Sequence, residues 1–187
     1  MSARVARRVL VAIGLCAMLV VAAVVLVAFI WPDGRMRSRE LDVGAVEDFA
    51  PGTVTSIAPT EDDGSPVTAR LPAVLMNPQS QGEAIVRINI ARLADGTVLA
   101  FVGRDPRNGC ALPWRPLFRF EQREGWFRDP CHGSTYDIEG RRVFGPSFRD
   151  LDQFPVRVDG GRVRVNIDEA IAGRTYRRDG SQTPIVP

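Results

Sequence analysis

Two short segments of the chain concentrate residue types that bind metals, form disulfides or carry charge. Asp105 to Cys110 reads Asp-Pro-Arg-Asn-Gly-Cys, and Asp129 to Asp137 reads Asp-Pro-Cys-His-Gly-Ser-Thr-Tyr-Asp. Carboxylates and an imidazole are acceptable ligands for several divalent ions. Two cysteines form a disulfide or remain thiols, and their spacing alone leaves both states open. These segments therefore predict the functional site of the chain.

The cysteines also bear on the compartment. Cys16 lies in an apolar run near the N-terminus, so Cys110 and Cys131 are the only cysteines beyond that run. A pair is the minimum for one disulfide, and an oxidising compartment preserves such a bond. The cysteine count therefore favours an exported domain, with two unpaired thiols as the alternative.

The apolar run extends over residues 9–31 and contains no charged residue. At about 1.5 Å per residue it spans roughly 33 Å, which suffices for a bilayer core of about 30 Å. We predict one transmembrane helix over 9–31, with a basic N-terminus at 1–8 and a linker at 32–40. A cleaved signal peptide is the alternative, although its apolar core usually has only about 7–15 residues.

The flanking charges give an orientation. Three arginines precede the predicted span and three follow it closely, which dilutes the positive-inside signal. We favour a cytoplasmic N-terminus because the first flank usually dominates, which places the following domain on the periplasmic or extracytoplasmic side of the cell membrane. The formal net charge of +2 is too small to indicate nucleic-acid binding.

From residue 41 onward, short β-prone runs alternate with turn residues. Asp95-Gly96 separates two apolar runs, and Asp159 to Gly161 separates two others, so both positions predict β-hairpins. Many short strands at close spacing predict an all-β domain over 41–172. Residues 173–187 lack periodicity and are expected to form a C-terminal tail or docking arm.

The second segment resembles a known motif. Pro-Cys-His-Gly-Ser-x-Tyr-Asp, from Pro130 to Asp137, looks like the second cluster-binding box of Rieske iron–sulfur proteins. Gly109-Cys110 is similar to the end of the first box, and Gly145-Pro146-Ser147 is similar to the proline loop of that family. The resemblance covers about residues 41–167 and implies a Rieske-like domain of small stacked antiparallel sheets.

The resemblance also implies roles for individual residues. In the family each box supplies one Cys and one His to a [2Fe–2S] cluster, and two further cysteines form a disulfide. Matching the boxes places that disulfide at Cys110 and Cys131. The ligand positions then fall on four residues: Asp105, Arg107, Asp129 and His132. Only the histidine is retained, and the chain contains one histidine in all, so it lacks the usual set of ligands.

The replacements suggest what takes the place of a cluster. Arg107 between the carboxylates of Asp105 and Asp129 would form a salt-bridged plug through charge-assisted hydrogen bonds. The alternatives are a mononuclear metal site of Asp105, Asp129 and His132, an exposed loop tip without a specific role, or a site for another ligand. The residues that match those surrounding the family's cluster are expected to be structural: Ser134, Tyr136, Gly145 and Pro146.

The resemblance implies a membrane-anchored subunit of a respiratory or photosynthetic electron-transfer complex. Because the ligands are lost, we expect a cluster-less accessory subunit with no catalytic residues and no cofactor, whose partners are a larger membrane complex and the bilayer. One alternative is a genuine [2Fe–2S] electron-transfer subunit of a quinol-oxidising complex, with atypical ligands or ligands supplied in trans. The other alternative is a mononuclear metal-binding module.

Overall fold

The computed structural model describes residues 13–23, 38–74 and 82–176, and the chain divides into two compact units. In the first unit, Met1–Arg37, residues 13–23 are helical. No helix among the described residues has both the length and the apolar character needed to cross a membrane. Both ends of the span predicted at 9–31 lie outside the described residues.

The second unit, Ser38–Pro187, consists of short strands joined by turns, as the alternation of β-prone runs and turn residues predicts. A 3-10 turn at Val46–Asp48 follows the first strand. The strands of the described residues are β1 (Glu40–Ala45), β2 (Thr53–Ile57), β3 (Thr68–Leu71), β4 (Gly82–Ile85), β5 (Ile88–Arg92), β6 (Val98–Val102), β7 (Trp114–Phe120), β8 (Arg123–Arg128), β9 (Thr135–Tyr136), β10 (Arg142–Phe144), β11 (Gln153–Phe154), β12 (Val156–Asp159) and β13 (Arg162–Asn166).

These strands form small antiparallel sheets with the orders β1-β13-β12, β11-β6-β5-β2, β3-β4 and β10-β9-β8-β7. Both predicted hairpins are confirmed, since β5 pairs with β6 and β12 pairs with β13. The all-β fold class expected from the sequence is therefore confirmed for this unit.

Strand β6 lies between two hydrophobic cores, because successive side chains of a strand point to opposite faces. Ala100 and Val102 pack into the larger core with residues of β3, β5 and β13, whereas Phe101 packs into the smaller core. The smaller core joins β6 to the sheet β10-β9-β8-β7. Its buried members are Ala91, Phe101, Leu112, Phe127, Tyr136 and Leu151.

The chain beyond β13 docks on the domain. Backbone bridges join Gln153 to Ile171 and Arg149 to Thr175. The tail expected at 173–187 therefore begins with residues that are packed on the domain, and its remaining part from residue 177 lies outside the described residues.

A glycine in the smaller core generates the first prediction. Gly140 has a φ of +77°, and a Cβ at this position would lie 2.4 Å from the Phe101 ring. Overpacking costs about 1–3 kcal/mol and a left-handed backbone about 1–2 kcal/mol, so Gly140→Ala should lower the free energy of unfolding by about 2–5 kcal/mol. Denaturant titration measures this loss.

The matched control is Gly52→Ala. Gly52 has a similar φ of +73°, but a Cβ there would meet no heavy atom within 4 Å. The free energy of unfolding of this control should fall only by the cost of the left-handed backbone, about 1–2 kcal/mol. Equal losses in the two variants would contradict the packing of Gly140 against Phe101.

Candidate functional site: two loops joined by a disulfide

The predicted site lies on two loops. The first joins β6 to β7, and the second joins β8 to β9. A disulfide between Cys110 and Cys131 links them, with an S–S distance of 2.03 Å and a Cα–Cα distance of 6.6 Å. The pairing implied by the family resemblance is confirmed. With a sequence separation of 21 residues, this cross-link contributes on the order of 3 kcal/mol in the chain-entropy model.

An Asp-Pro-x-x-Gly turn organises the first loop. The backbone N–H of Asp105 donates to the carbonyl of Cys110 at 2.8 Å. Its carboxylate Oδ1 accepts the backbone N–H groups of Arg107 at 2.8 Å and Asn108 at 3.1 Å. Gly109 closes the turn with a φ of +81°, a conformation that favours glycine. The buried carboxylate of Asp105 therefore caps its own turn, as aspartates in turns commonly do.

The second loop repeats this arrangement. The backbone N–H of Asp129 donates to the carbonyl of Ser134 at 2.8 Å. Its carboxylate accepts the backbone N–H groups of Cys131 and His132, both at 2.9 Å, and Gly133 has a φ of +80°. The repeated Asp-Pro-x-x-Gly pattern is the sequence signal for both turns, and we did not recognise it from the sequence.

The side chain of Asn108 bridges the two loops. Its Nδ2 donates to Oδ2 of Asp129 at 2.8 Å and contacts Nδ1 of His132 at 2.9 Å. Its Oδ1 accepts the backbone N–H of Cys110 at 2.7 Å. Because Nδ2 can only donate, Nδ1 of His132 is the acceptor, and the ring proton is on Nε2. Asn108 was absent from the residues predicted for the site, because an asparagine before glycine reads as an ordinary turn residue.

Tyr136 connects the first loop to the smaller core. Its side chain is fully buried, and its hydroxyl donates to Oδ2 of Asp105 at 2.6 Å. Burial, followed by the negative charge of Asp105, raises the pKa of Tyr136 above its ordinary value. The hydroxyl therefore remains a proton donor to Asp105. Ser134 is fully buried, and its side chain faces this hydroxyl.

The guanidinium of Arg107 does not form the expected plug. Arg107 donates its backbone N–H to Asp105. Within the described residues its Nη1 is buried without a hydrogen-bond partner, and its guanidinium forms no ion pair. The physical reason is that turn N–H groups and Tyr136 already satisfy Asp105, while the amide of Asn108 reaches Asp129.

The segment Gly145-Pro146-Ser147 packs against the second loop. Gly145 has a φ of +94°, and a Cβ there would lie 2.6 Å from Cα of Ser134. This close approach of two backbones requires glycine. Pro146 is half-buried and Ser147 is fully buried.

The metal-ligand set predicted from Asp105, Asp129 and His132 is not assembled. Among the described residues, the cysteine, histidine and carboxylate atoms that lie within 4.8 Å of one another belong to Cys110, Asp129 and Cys131. Both cysteines are in the disulfide. Hydrogen bonds from tyrosine, asparagine and backbone donors already occupy the two carboxylates.

The same donor set does not fit a Rieske cluster. Such a cluster takes two thiolates and two imidazoles. The residues that the family resemblance assigns to the ligand positions are two buried, hydrogen-bonded carboxylates, an arginine and the single histidine of the chain. The thiols of Cys110 and Cys131 are oxidised to the disulfide. These residues therefore do not supply the ligands that such a cluster needs.

The buried tyrosine generates a prediction. Tyr136→Phe leaves Oδ2 of Asp105 without its donor, so the free energy of unfolding at neutral pH should fall by about 1–3 kcal/mol. Because folding raises the pKa of Tyr136, its contribution is fully present below the unfolded pKa of about 10 and is lost as pH rises above it. Denaturant titrations at neutral and strongly alkaline pH measure both effects.

Tyr176→Phe is the matched control. Its hydroxyl donates to Asp150 at 3.1 Å but is only partly buried, so its loss should be smaller. A stability difference between wild type and Tyr136→Phe that stays constant through alkaline pH would contradict the assignment of a buried, neutral Tyr136.

Comparisons with known proteins give sequence relatives over part of the chain. It is 39 % identical over 58 residues to the cytochrome b6-f complex iron–sulfur subunit of a Synechococcus strain, covering 31 % of this chain and 30 % of the relative. It is 36 % identical over 66 residues to the iron–sulfur subunit 2 of a Nostoc strain, covering 34 % of each chain. The chain thus spans about a third of the length of these curated relatives.

The solved structures that resemble the chain include Rieske proteins. A cyanobacterial plasma-membrane Rieske protein from Synechocystis is 26 % identical, with a TM-score of 0.36 and coverage of 43 % of this chain and 76 % of that chain. The apo form of a quaternary ammonium Rieske monooxygenase is 16 % identical, with a TM-score of 0.46 and coverage of 71 % and 34 %. No protein-family model matches the chain.

The names of the sequence relatives are consistent with the geometry of the two loops. The curated relatives are iron–sulfur subunits. In this chain a disulfide joins two loops, and a Gly-Pro-Ser segment packs against the second of them. Over this part of its length the chain is therefore similar to Rieske-type iron–sulfur subunits.

Proposed function

We propose that this chain is an accessory subunit of a membrane-bound electron-transfer complex and that its Rieske-type domain holds no iron–sulfur cluster. The observation that carries the proposal is the amide of Asn108, which bridges the two loops through Asp129 and His132. The disulfide and this amide join the loops through protein groups alone. A domain held together in this way keeps its shape without a cofactor.

The buried carboxylates support the same proposal. Asp105 and Asp129 stand at the positions expected for cluster thiolates, and both are almost completely buried. Backbone N–H groups of their own turns hold each of them in place. While the disulfide is intact, such carboxylates are structural groups of a turn, because hydrogen bonding compensates their burial.

The proposed partner is a larger membrane complex of the respiratory or photosynthetic kind. The curated relatives are named as subunits of the cytochrome b6-f complex, and we extend membership of such an assembly to this chain. Under this proposal the apolar run at 9–31 is the membrane anchor, and the domain lies outside the cytoplasm. An oxidising compartment would preserve the Cys110–Cys131 disulfide.

Iron analysis of the purified full chain tests the missing cluster. The chain should be produced with ample iron in a host that assembles Rieske clusters. We expect no stoichiometric iron and no paramagnetic signal after reduction. About two irons per chain together with a Rieske-type signal would overturn the proposal.

A ligand-restoring variant is the matched control for this test. The triple substitution Asp105→Cys, Arg107→His and Asp129→Cys supplies two thiols and, with His132, two imidazoles at the ligand positions. This variant should acquire iron in the same host. A folded variant that remains free of iron would contradict the assignment of those residues to the ligand positions.

Removal of the bridging amide tests the proposal that protein groups alone hold the two loops together. Asn108→Ala leaves Oδ2 of Asp129 and the backbone N–H of Cys110 without this partner. The free energy of unfolding should fall by about 1–3 kcal/mol, as for other buried polar groups that lose their partners. Asn166→Ala is the control, because the Asn166 side chain only accepts the nearby backbone N–H of Asp168 at an exposed site. Equal losses in the two variants would contradict a special role for Asn108.

A further inference from the structure

We propose that reduction of the disulfide converts the two loops into a binding site for Zn²⁺. Its ligands are the thiolates of Cys110 and Cys131, a carboxylate oxygen of Asp129 and Nδ1 of His132. The site differs from a Rieske centre, because it uses the two cysteines of the disulfide and places both thiolates on one metal. It does not depend on the identity of the partner complex.

The spacing of three ligand atoms supports this inference. The two Sγ atoms and a carboxylate oxygen of Asp129 lie within 4.8 Å of one another. Tetrahedral zinc, with bonds of about 2.3 Å to sulfur and 2.0–2.2 Å to oxygen, separates its ligands by roughly 3.3–3.8 Å. The Asp129 oxygen is thus within about 1.5 Å of the required spacing, and the two Sγ atoms, 2.03 Å apart in the disulfide, would separate by about 1.8 Å after reduction. Side-chain rotation about loops already in place would make both adjustments.

His132 would become the fourth ligand by rotating toward the cluster, since its ring nitrogens are not among the atoms that lie within 4.8 Å of one another. Its Nδ1 lies 3.8 Å from Oδ2 of Asp129, and 47 % of its side chain is exposed. Nδ2 of Asn108 contacts this nitrogen at 2.9 Å. A metal ion binds through the lone pair that faces this amide donor, so Zn²⁺ would replace the amide of Asn108 as the partner of Nδ1. Four protein ligands give the closed coordination of a structural zinc site.

The surroundings orient and balance these ligands. The backbone N–H groups of Cys131 and His132 hold the carboxylate of Asp129, as outer-shell hydrogen bonds hold metal-bound carboxylates. Two thiolates, one carboxylate and Zn²⁺ sum to a single negative charge. The guanidinium of Arg128 lies beside Gly133 of the second loop, since a Cβ built on Gly133 would be 3.4 Å from Nη2 of Arg128. This cation offsets the residual charge.

The conversion is a thiol–disulfide exchange followed by metal binding. A dithiol reductant attacks the exposed Cys131–Cys110 bond, its two thiols become a disulfide, and the protein gains two thiols. Two electrons and two protons pass to the protein in this step. Binding of Zn²⁺ then releases two protons as both thiols become thiolates. The oxidised chain lacks thiolates, and the site exists only in the reduced state.

The test uses the full chain carrying Cys16→Ala, so that only Cys110 and Cys131 contribute to the thiol count and to metal binding through sulfur. The protein is reduced with a dithiol, freed of reagent without oxygen, and checked for two titratable thiols. Zn²⁺ is then titrated against a chromophoric chelator. We expect one tightly bound Zn²⁺ per reduced chain and none per oxidised chain. Cobalt(II) in place of zinc should show thiolate-to-metal charge-transfer absorption only after reduction.

Two variants assign the other ligands. Loss of outer-shell partners already lowers metal affinity about 10–100-fold, so His132→Ala and Asp129→Asn should each weaken zinc binding at least that strongly. Asp105→Asn is the matched control, because Asp105 caps the equivalent turn of the first loop but is not a ligand, and it should leave the affinity unchanged.

Three outcomes would overturn the proposal. The first is stoichiometric zinc in the oxidised chain, and the second is no zinc in a chain with two counted thiols. The third is an equal effect of Asp129→Asn and Asp105→Asn on the affinity for zinc. None of these outcomes bears on the iron content of the chain as purified, so this inference and the proposed function fail separately.

Discussion

The amide of Asn108 imposes the constraint around which the two loops are arranged. One NH₂ group donates to the carboxylate of Asp129 and to the imidazole of His132, while the carbonyl oxygen accepts a backbone N–H from its own loop. The contacts with Asp129 and His132 require the loops to approach within hydrogen-bond distance. They also require Nδ1 of His132 to be unprotonated. The amide therefore specifies both the spacing of the loops and the state of the histidine.

The disulfide and the hydrogen bonds contribute differently to this arrangement. The cross-link is the larger energetic contribution, on the order of 3 kcal/mol, whereas one hydrogen bond contributes a net of about 0.5–1.5 kcal/mol. The disulfide restricts how far the loops separate, and it acts largely through the unfolded chain. The hydrogen bonds of Asp105 and Asp129 determine how the loops are oriented, because they fold each loop into the same turn. The hydroxyl of Tyr136 then ties the first turn to the smaller core.

The parts of the structure that depend on local pattern were predictable from the sequence. Alternating apolar residues and Asp-Gly turns specify hairpins within a few residues of chain, so the β5–β6 and β12–β13 pairs followed from them. The partner of Arg107 was not predictable in this way. Charge alone suggested a pair with Asp105 and Asp129, but short-range backbone donors reach a turn carboxylate before a long side chain does.

The role of Asn108 was not predictable from local pattern either, because Asp129 and His132, its partners on the second loop, are more than twenty positions away along the chain. Docking of the chain beyond β13 onto residues near Arg149 is a non-local contact of the same kind. Such contacts depend on tertiary packing, on which hydropathy and turn propensity carry no information.

The protonation state of one side chain tests the central claim that protein groups join these loops. His132 is the only histidine of the chain, so a long-range ¹H–¹⁵N correlation spectrum of labelled full-length protein reports it without ambiguity. The account predicts a sharp, diamagnetic pattern with the proton on Nε2 and an unprotonated Nδ1 that accepts from Asn108. A proton on Nδ1, or paramagnetic broadening of the ring by bound iron, would contradict it.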